Sequence, residues 1–158
     1  MRIEIDLGRQ SLALLEGVRE LKRYTVSTAA NGAGEKNGSE CTPRGRHLIR
    51  AKIGTGQPTG AVFVARRPTG EIYAPELKVQ YPKRDWILTR ILWLSGLEPG
   101  RNRMGEVDTM RRYVYIHGTP DETELGKPGS HGCVRMANRD IIELFDRVPA
   151  YTEVTIEE

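Results

Sequence analysis

Ile3, Ile5 and Leu7 alternate with Glu4 and Asp6, the period of two that marks a strand with one buried face. Gly8-Arg9-Gln10 is a turn, Ser11 to Leu15 returns, Glu16-Gly17 turns again, and Lys22 to Thr28 makes a third strand. The chain thus opens as a meander of local hairpins. His47 to Ile53 and Ala61 to Arg66 predict two more strands around a Gly-Thr-Gly-Gln-Pro-Thr-Gly loop. Ile87 to Leu94 is apolar enough for a buried strand, Tyr113 to His117 forms another, and Glu153 to Ile156 closes the chain. Helical spacing stands out once: Ile141, Leu144, Phe145 and Val148 follow the i, i+3, i+4, i+7 stripe of a core-facing helix. Asn138 is placed as its N-cap, Asp140 and Arg147 suit its two ends, and Pro149 stops it. Residues 29–40 and 95–112 are loops. The pattern predicts one mainly β (α+β) domain over residues 1–158, with one main helix late in the chain.

Composition narrows the class. Hydrophobic residues make up 38% and charged residues 28%, which excludes a disordered chain, a coiled coil and a collagen-like repeat. The longest apolar runs, such as Ile91 to Leu94, are too short to span a bilayer, so no membrane partner is expected. Met1-Arg2-Ile3-Glu4-Ile5-Asp6 has no basic segment followed by an apolar one, so the expectation for the chain as written is a cytoplasmic protein with reduced thiols. Net charge is 24 − 21 = +3, a mild basic bias that suits anionic ligands. The basic pairs Arg66-Arg67, Lys83-Arg84 and Arg111-Arg112 are scattered and only 6% of residues are aromatic, so they read as solvated strand ends and not as a nucleic-acid face. The Gly/Asn-rich stretch 29–40 lacks the Gly-Lys-Ser/Thr ending of a phosphate-binding loop and reads as a surface loop.

The candidate chemistry lies between Ile116 and Met136. This stretch holds two of the three His and one of the two Cys among glycines and prolines, poor material for a core. A Cys that attacks a carbonyl must give up its proton, and a neighbouring His is the usual acceptor. Strand alternation puts Tyr113, Tyr115 and His117 on one face, away from the core-facing Val114 and Ile116. His117 then precedes Cys133 by 133 − 117 = 16 residues, enough for the loop to return the thiol to the imidazole. The backbone N–H groups of Gly132 and Cys133 would form an oxyanion hole if the turn aims them together. His117, His131 and Cys133 are also zinc-ligand types, but their spacing fits no short zinc motif, so neither metal nor cofactor is expected. Cys41 is expected to be a second free thiol, since pairing with Cys133 would block the nucleophile.

His117-Gly118-Thr119, a loop, and then Ser130-His131-Gly132-Cys133-Val134-Arg135-Met136 resemble the L,D-transpeptidase catalytic domain, the YkuD family. Thr42-Pro43 followed by Gly45, the strand Tyr24 to Thr28, and the helix and Val-x-Ile strand at the end extend the resemblance over nearly the whole chain. It implies a β-sandwich or barrel with one main helix after the catalytic Cys. It implies Cys133 as nucleophile, His117 as general base, and Gly118 as the carbonyl that orients the imidazole. Ser130, His131 and Gly132 fall in the shell around the oxyanion site, with Arg135 and Tyr115 toward the substrate. The family's substrate is the tetrapeptide stem of peptidoglycan: the thiolate attacks the diaminopimelate carbonyl, expels D-Ala and leaves a thioester. With no export signal at its start, the chain is expected to use water as acceptor, as an L,D-carboxypeptidase of murein recycling. The alternatives are an exported transpeptidase that forms 3-3 cross-links or exchanges D-amino acids, and a non-catalytic binder of peptidoglycan fragments.

Overall fold

The computed structural model describes residues 1–158. Its elements run β1 (Arg2–Asp6), β2 (Ser11–Glu16), β3 (Arg19–Ser27), β4 (Gly45–Ile53), β5 (Ala61–Val64), β6 (Arg67–Ile72), α1 (Pro75–Gln80), β7 (Ile87–Gly96), β8 (Tyr115–Gly118), β9 (Val134–Met136), α2 (Asn138–Arg147) and β10 (Glu153–Glu157). The opening alternation works as its pattern predicts. Ile3 lies opposite Leu14 and Ile5 opposite Leu12, so one face of the first hairpin is wholly aliphatic.

The strands form one mainly β sheet in the order β4-β10-β1-β2-β3-β9-β8-β7-β5-β6, and β4 also pairs with β7, which closes eight of them into a barrel. β7 is the seam. One edge of it pairs with β8, while the other pairs first with β5 and then, from Ile91 to Gly96, with β4. A register shift between Leu88 and Ile91 marks the change, with Thr89 at φ +76°. Such an irregularity bends a strand and lets the β5–β6 hairpin stand off the barrel.

The core inside the barrel includes Ile3, Ile5, Leu12, Leu14, Val26, Ile49, Ile116 and Val134, completed by Ile141, Leu144, Phe145 and Val148 of the α2 stripe. Truncating one of these buried aliphatics to Ala costs about 2–5 kcal/mol. A smaller apolar cluster lies outside it: Ala61, Phe63, Ile91 and Tyr115, with Cys133 packed against them. The two clusters occupy the two faces of β8, and the outer one carries the candidate site. No helix is long and apolar enough to cross a membrane.

Two expectations are corrected. Ala137, not Asn138, holds the N-cap position of α2, and no side chain caps the helix. Asn138 instead accepts a hydrogen bond from Thr89 Oγ1 at 2.6 Å and donates to Asp121 at 3.3 Å, so it braces the bend in β7. β8 begins at Tyr115, because Tyr113 has φ +56° and stands exposed outside the strand. β6 and α1 add two elements that no apolar periodicity predicts; β6 is mostly exposed and α1 buries no residue.

Candidate active site

β8 and β9 are parallel neighbours, with His117 beside Arg135 and Ile116 beside Val134. Ile116 and Val134 face the core, so alternation puts Tyr115, His117, Cys133 and Arg135 on the outer face. The two motif halves, joined by a loop, therefore meet through strand pairing.

His117 is expected on the side away from the core, and it is there, but it is fully buried. Its Nδ1 lies 2.6 Å from the Gly118 carbonyl oxygen, which can only accept, so Nδ1 carries the proton and Nε2 the lone pair. Nε2 is buried and has no partner. Gly118 must be glycine for that carbonyl to stand where it does: a Cβ would meet Asn138 Oδ1 and come within 2.6 Å of the Leu88 carbonyl.

Cys133 Sγ accepts a hydrogen bond from the Tyr115 backbone N–H at 3.3 Å and donates toward the Tyr113 carbonyl at 3.5 Å. It is not hydrogen-bonded to His117. Burial pushes the thiol up to about 12, an effect Asp85 adds to and the Tyr115 N–H, Arg135 and Arg112 oppose. Burial also lowers the His117 pKa, against the pull of Asp85 and the Gly118 carbonyl. Both shifts favour the uncharged forms, a neutral thiol and a neutral imidazole. Apo catalytic contacts often tighten only when substrate is bound.

The loop between the two is tied down from inside. Ser130 Oγ donates to the Cys133 carbonyl at 2.6 Å and accepts from the Gly132 N–H at 3.2 Å. Of the two N–H groups expected at the oxyanion site, that of Gly132 therefore has a partner within the loop, and that of Cys133 has none. Gly132 has φ +130°, a left-handed-side conformation that favours glycine, and a Cβ there would approach the Cys41 carbonyl at 3.3 Å. Thr42 Oγ1 donates to the Gly132 carbonyl at 2.9 Å and accepts from Ala29 N–H at 3.0 Å, so the Thr42-Pro43 turn positions the Cys loop directly.

Two hollows flank this loop. One, of about 280 Å³, is lined by Cys133, Gly132, His131, Tyr113, Tyr115, Arg66 and Arg112 among others. The second, of about 390 Å³, is lined by His131, Arg135, Lys78, Lys83, Arg84, Asp85 and Thr119 among others. His131 is exposed and borders both. The Tyr115 ring lies edge-on to Trp93, and its hydroxyl accepts from Arg66 at 3.0 Å. Arg135 is placed differently from expectation. Its guanidinium donates to the Gly129 carbonyl at 3.0 Å and pairs with Asp85 at 3.5 Å, on the side of the second hollow. Arg66 and Arg112, read from the sequence as solvated ends, instead border the Cys133 hollow. Their sequence signal, a basic pair beside a turn, is the same as that of pairs lying elsewhere. His117, His131 and Cys133 do not gather into a metal-holding group.

Comparison with known proteins gives the family and the fold. The L,D-transpeptidase catalytic domain profile, YkuD, matches residues 1–156. A Bacillus subtilis protein named as an L,D-transpeptidase, YkuD, is 48% identical over 46 residues, which are 29% of this chain and 28% of that relative's length. The L,D-transpeptidase crystal structure from Xylanimonas cellulosilytica superposes with a TM-score of 0.56 at 21% identity, over 98% of this chain and 59% of that one. The catalytic domain of the Enterococcus faecium L,D-transpeptidase, solved acylated by ertapenem, gives 0.57 at 17% identity over 99% and 95% of the two chains. The match thus covers less than two thirds of the Bacillus relative and of the Xylanimonas chain, and the low-identity likenesses are likenesses of fold. With a profile match from end to end, the chain belongs to the L,D-transpeptidase catalytic domain family.

Proposed function

We propose that this protein is a cysteine acyl-transfer enzyme acting on the tetrapeptide stems of peptidoglycan, with Cys133 as nucleophile and His117 as general base. The observation that carries the reading is the buried, partnerless Nε2 of His117, one step diagonally across paired strands from Cys133. Leaving a buried polar atom unpaired costs about 1–3 kcal/mol, and of the three such side-chain atoms, Trp86 Nε1, Arg90 Nε and His117 Nε2, only the last is a base. In the first half-reaction the Cys133 S–H proton passes to His117 Nε2 and sulfur attacks the diaminopimelate carbonyl carbon. The tetrahedral oxyanion forms beside the Cys133 N–H. Collapse breaks the C–N bond, the imidazolium returns its proton to the leaving amine, and D-Ala departs from a thioester.

In the second half-reaction water or an amine attacks the thioester, with His117 taking its proton. Water releases the tripeptide, the L,D-carboxypeptidase outcome expected from the sequence. One observation favours an amine instead. The second hollow borders His131 and carries Lys78 and Lys83, two cations outside any ion pair, which suit the carboxylate of an amino acid or peptide acceptor. Mass spectrometry of the purified protein with a diaminopimelate tetrapeptide, with and without added D-amino acid, tests both halves. Tripeptide or exchanged tetrapeptide from wild type, and neither from Cys133→Ala, is the expected result. No Cys133-dependent product in either condition overturns the proposal.

A further inference from the structure

The Cys133 hollow holds two arginines that the acyl-transfer chemistry leaves unused. Arg66 follows Ala65 at the tip of the β5–β6 hairpin, both with positive φ. Its guanidinium lies over the rings of Trp93 and Tyr113, at 5.0 and 4.7 Å from their centroids, and donates to Tyr115 Oη. Arg112 is half-buried and donates to the carbonyls of Gly34 and Cys41 and to Ser39 Oγ. Both are held by neutral acceptors and aromatic faces. Twelve ion pairs form in this molecule, and neither arginine takes part in one. The one acid on the hollow's wall, Asp85, pairs with Arg135. Two fixed cations outside any ion pair, on the wall of a small hollow that also holds the candidate nucleophile, form a receptor for an anion. A planar guanidinium suits a carboxylate in particular.

We propose that Arg66 and Arg112 bind a carboxylate of the donor stem next to the scissile bond, and so set the preference for a free carboxylate over a carboxamide. This rests on the function proposed above and deepens it. It also moves the carboxylate contact away from Arg135, which Asp85 and the Gly129 carbonyl already occupy. Two carboxylates flank the bond: the terminus of the leaving D-Ala and the side-chain end of diaminopimelate. A hollow of about 280 Å³, just below the range of drug-sized ligand pockets, admits the end of a peptide.

The test uses three tetrapeptides: one with all carboxylates free, one ending in D-alaninamide, and one amidated on the diaminopimelate side chain. The readout is kcat/KM for loss of the terminal residue, by mass spectrometry. Wild type is expected to prefer the free peptide over one of the two amides by about tenfold or more, and which amide suffers identifies the carboxylate. In Arg66→Gln and Arg112→Gln that ratio is expected to fall toward one, with Arg66→Lys recovering part of it. The ratio is internal to each variant, so a general loss of activity does not imitate the effect. Because Arg112 also anchors the 34–41 loop, calorimetric binding of the same peptides to Arg66→Gln in a Cys133→Ala background provides an independent measure. A wild-type ratio near one, or an unchanged ratio in both Gln variants, overturns this inference and leaves the proposed function standing. No turnover of any of the three peptides by wild type overturns both.

Discussion

Two histidines are fully buried in this molecule, His47 on β4 and His117 on β8. At Nδ1 they are alike: His47 donates to the Gly45 carbonyl at 3.0 Å, His117 to the Gly118 carbonyl at 2.6 Å. They part at Nε2. That of His47 accepts from Thr109 Oγ1 at 2.9 Å, whereas that of His117 has no partner. Burial lowers both pKa values, that of His47 to about 4. A histidine with both nitrogens satisfied is a fixed part of the fold. One held rigidly at Nδ1 and left open at Nε2 is available to a substrate or nucleophile. Burial and pKa alone do not separate the two; hydrogen-bond satisfaction does.

The strongest way to break this contrast is to exchange the consequences of mutation. His117→Gln is expected to lower kcat/KM for the tetrapeptide by about 10²–10⁴-fold, the usual contribution of a general base, with little loss of stability. Cys133→Ala is expected to abolish turnover. His47→Ala is expected to cost about 2–4 kcal/mol of stability, from its cavity and the stranded Thr109 hydroxyl, with the rate per folded molecule unchanged. Steady-state kinetics beside urea unfolding decides. A His47→Ala protein that keeps its stability but loses its rate ends the distinction. The anchor can be attacked separately. Gly118→Ala forces the added methyl against the Leu88 carbonyl and displaces the acceptor that fixes His117. A loss of about 100-fold in kcat is expected from the misplaced imidazole, together with a lower Tm. An unchanged kcat would show that the Gly118 carbonyl does not position the base.

The same contrast shows what the sequence makes legible. The meander and the α2 stripe follow from local periodicity, and the His-Gly and Ser-His-Gly-Cys segments stand out by residue chemistry and family resemblance; the fold brings those two segments together on β8 and β9. His47 and His117 each sit in an apolar-polar strand pattern, and nothing in that pattern tells which Nε2 meets a threonine 62 residues away. Arg66 and Arg112 are hidden for the same reason: a basic pair beside a turn is a solvent signal until tertiary packing lays it over Trp93 or against the Cys41 carbonyl. Asn138 carries a good capping side chain, but a bent β7 offers it Thr89. β6 and α1 escape because exposed elements carry no buried stripe. Long-range satisfaction of polar groups is the part that one-dimensional patterns do not hold.

Acid titration sharpens the comparison further. The His47 pKa is near 4 in the folded chain and about 6.5 when unfolded. Above pH 6.5 both states hold it neutral, and its contribution is constant. As pH falls from 6.5 toward 4, the unfolded chain takes up a proton that the folded chain refuses, so stability is lost through that window and levels off below it. The size is about 3 kcal/mol. His117 acts in the same direction. Glu35 behaves differently. Its hydrogen bonds with Arg44 hold it below the usual carboxylate range despite the opposing effect of burial, so its stability is lost only at lower pH. Urea unfolding between pH 7 and 4 is expected to show a shallower loss in His47→Gln than in wild type. Parallel slopes would remove the assigned role of His47. In kinetics, the depressed His117 pKa is expected to carry the acid limb of kcat/KM below pH 6.5.

The smallest expected effect is also the most direct. Thr109→Val removes the one hydroxyl that meets His47 Nε2 and keeps nearly the same volume, so His47 becomes a buried imidazole with an open nitrogen, as His117 is. The substitution is expected to cost about 1–2 kcal/mol in urea unfolding, the lower part of the penalty for a stranded buried acceptor, while Thr109→Ser retains most of the stability. Turnover is expected to stay at the wild-type level in both, because an open Nε2 does nothing without a thiol beside it. If Thr109→Val is as stable as wild type, an unsatisfied imidazole nitrogen carries no measurable cost in this fold, and the open Nε2 of His117 loses its weight as evidence of function. If the cost appears, the partnerless nitrogen at His117 is a stability deficit that the fold carries at one histidine and avoids at the other.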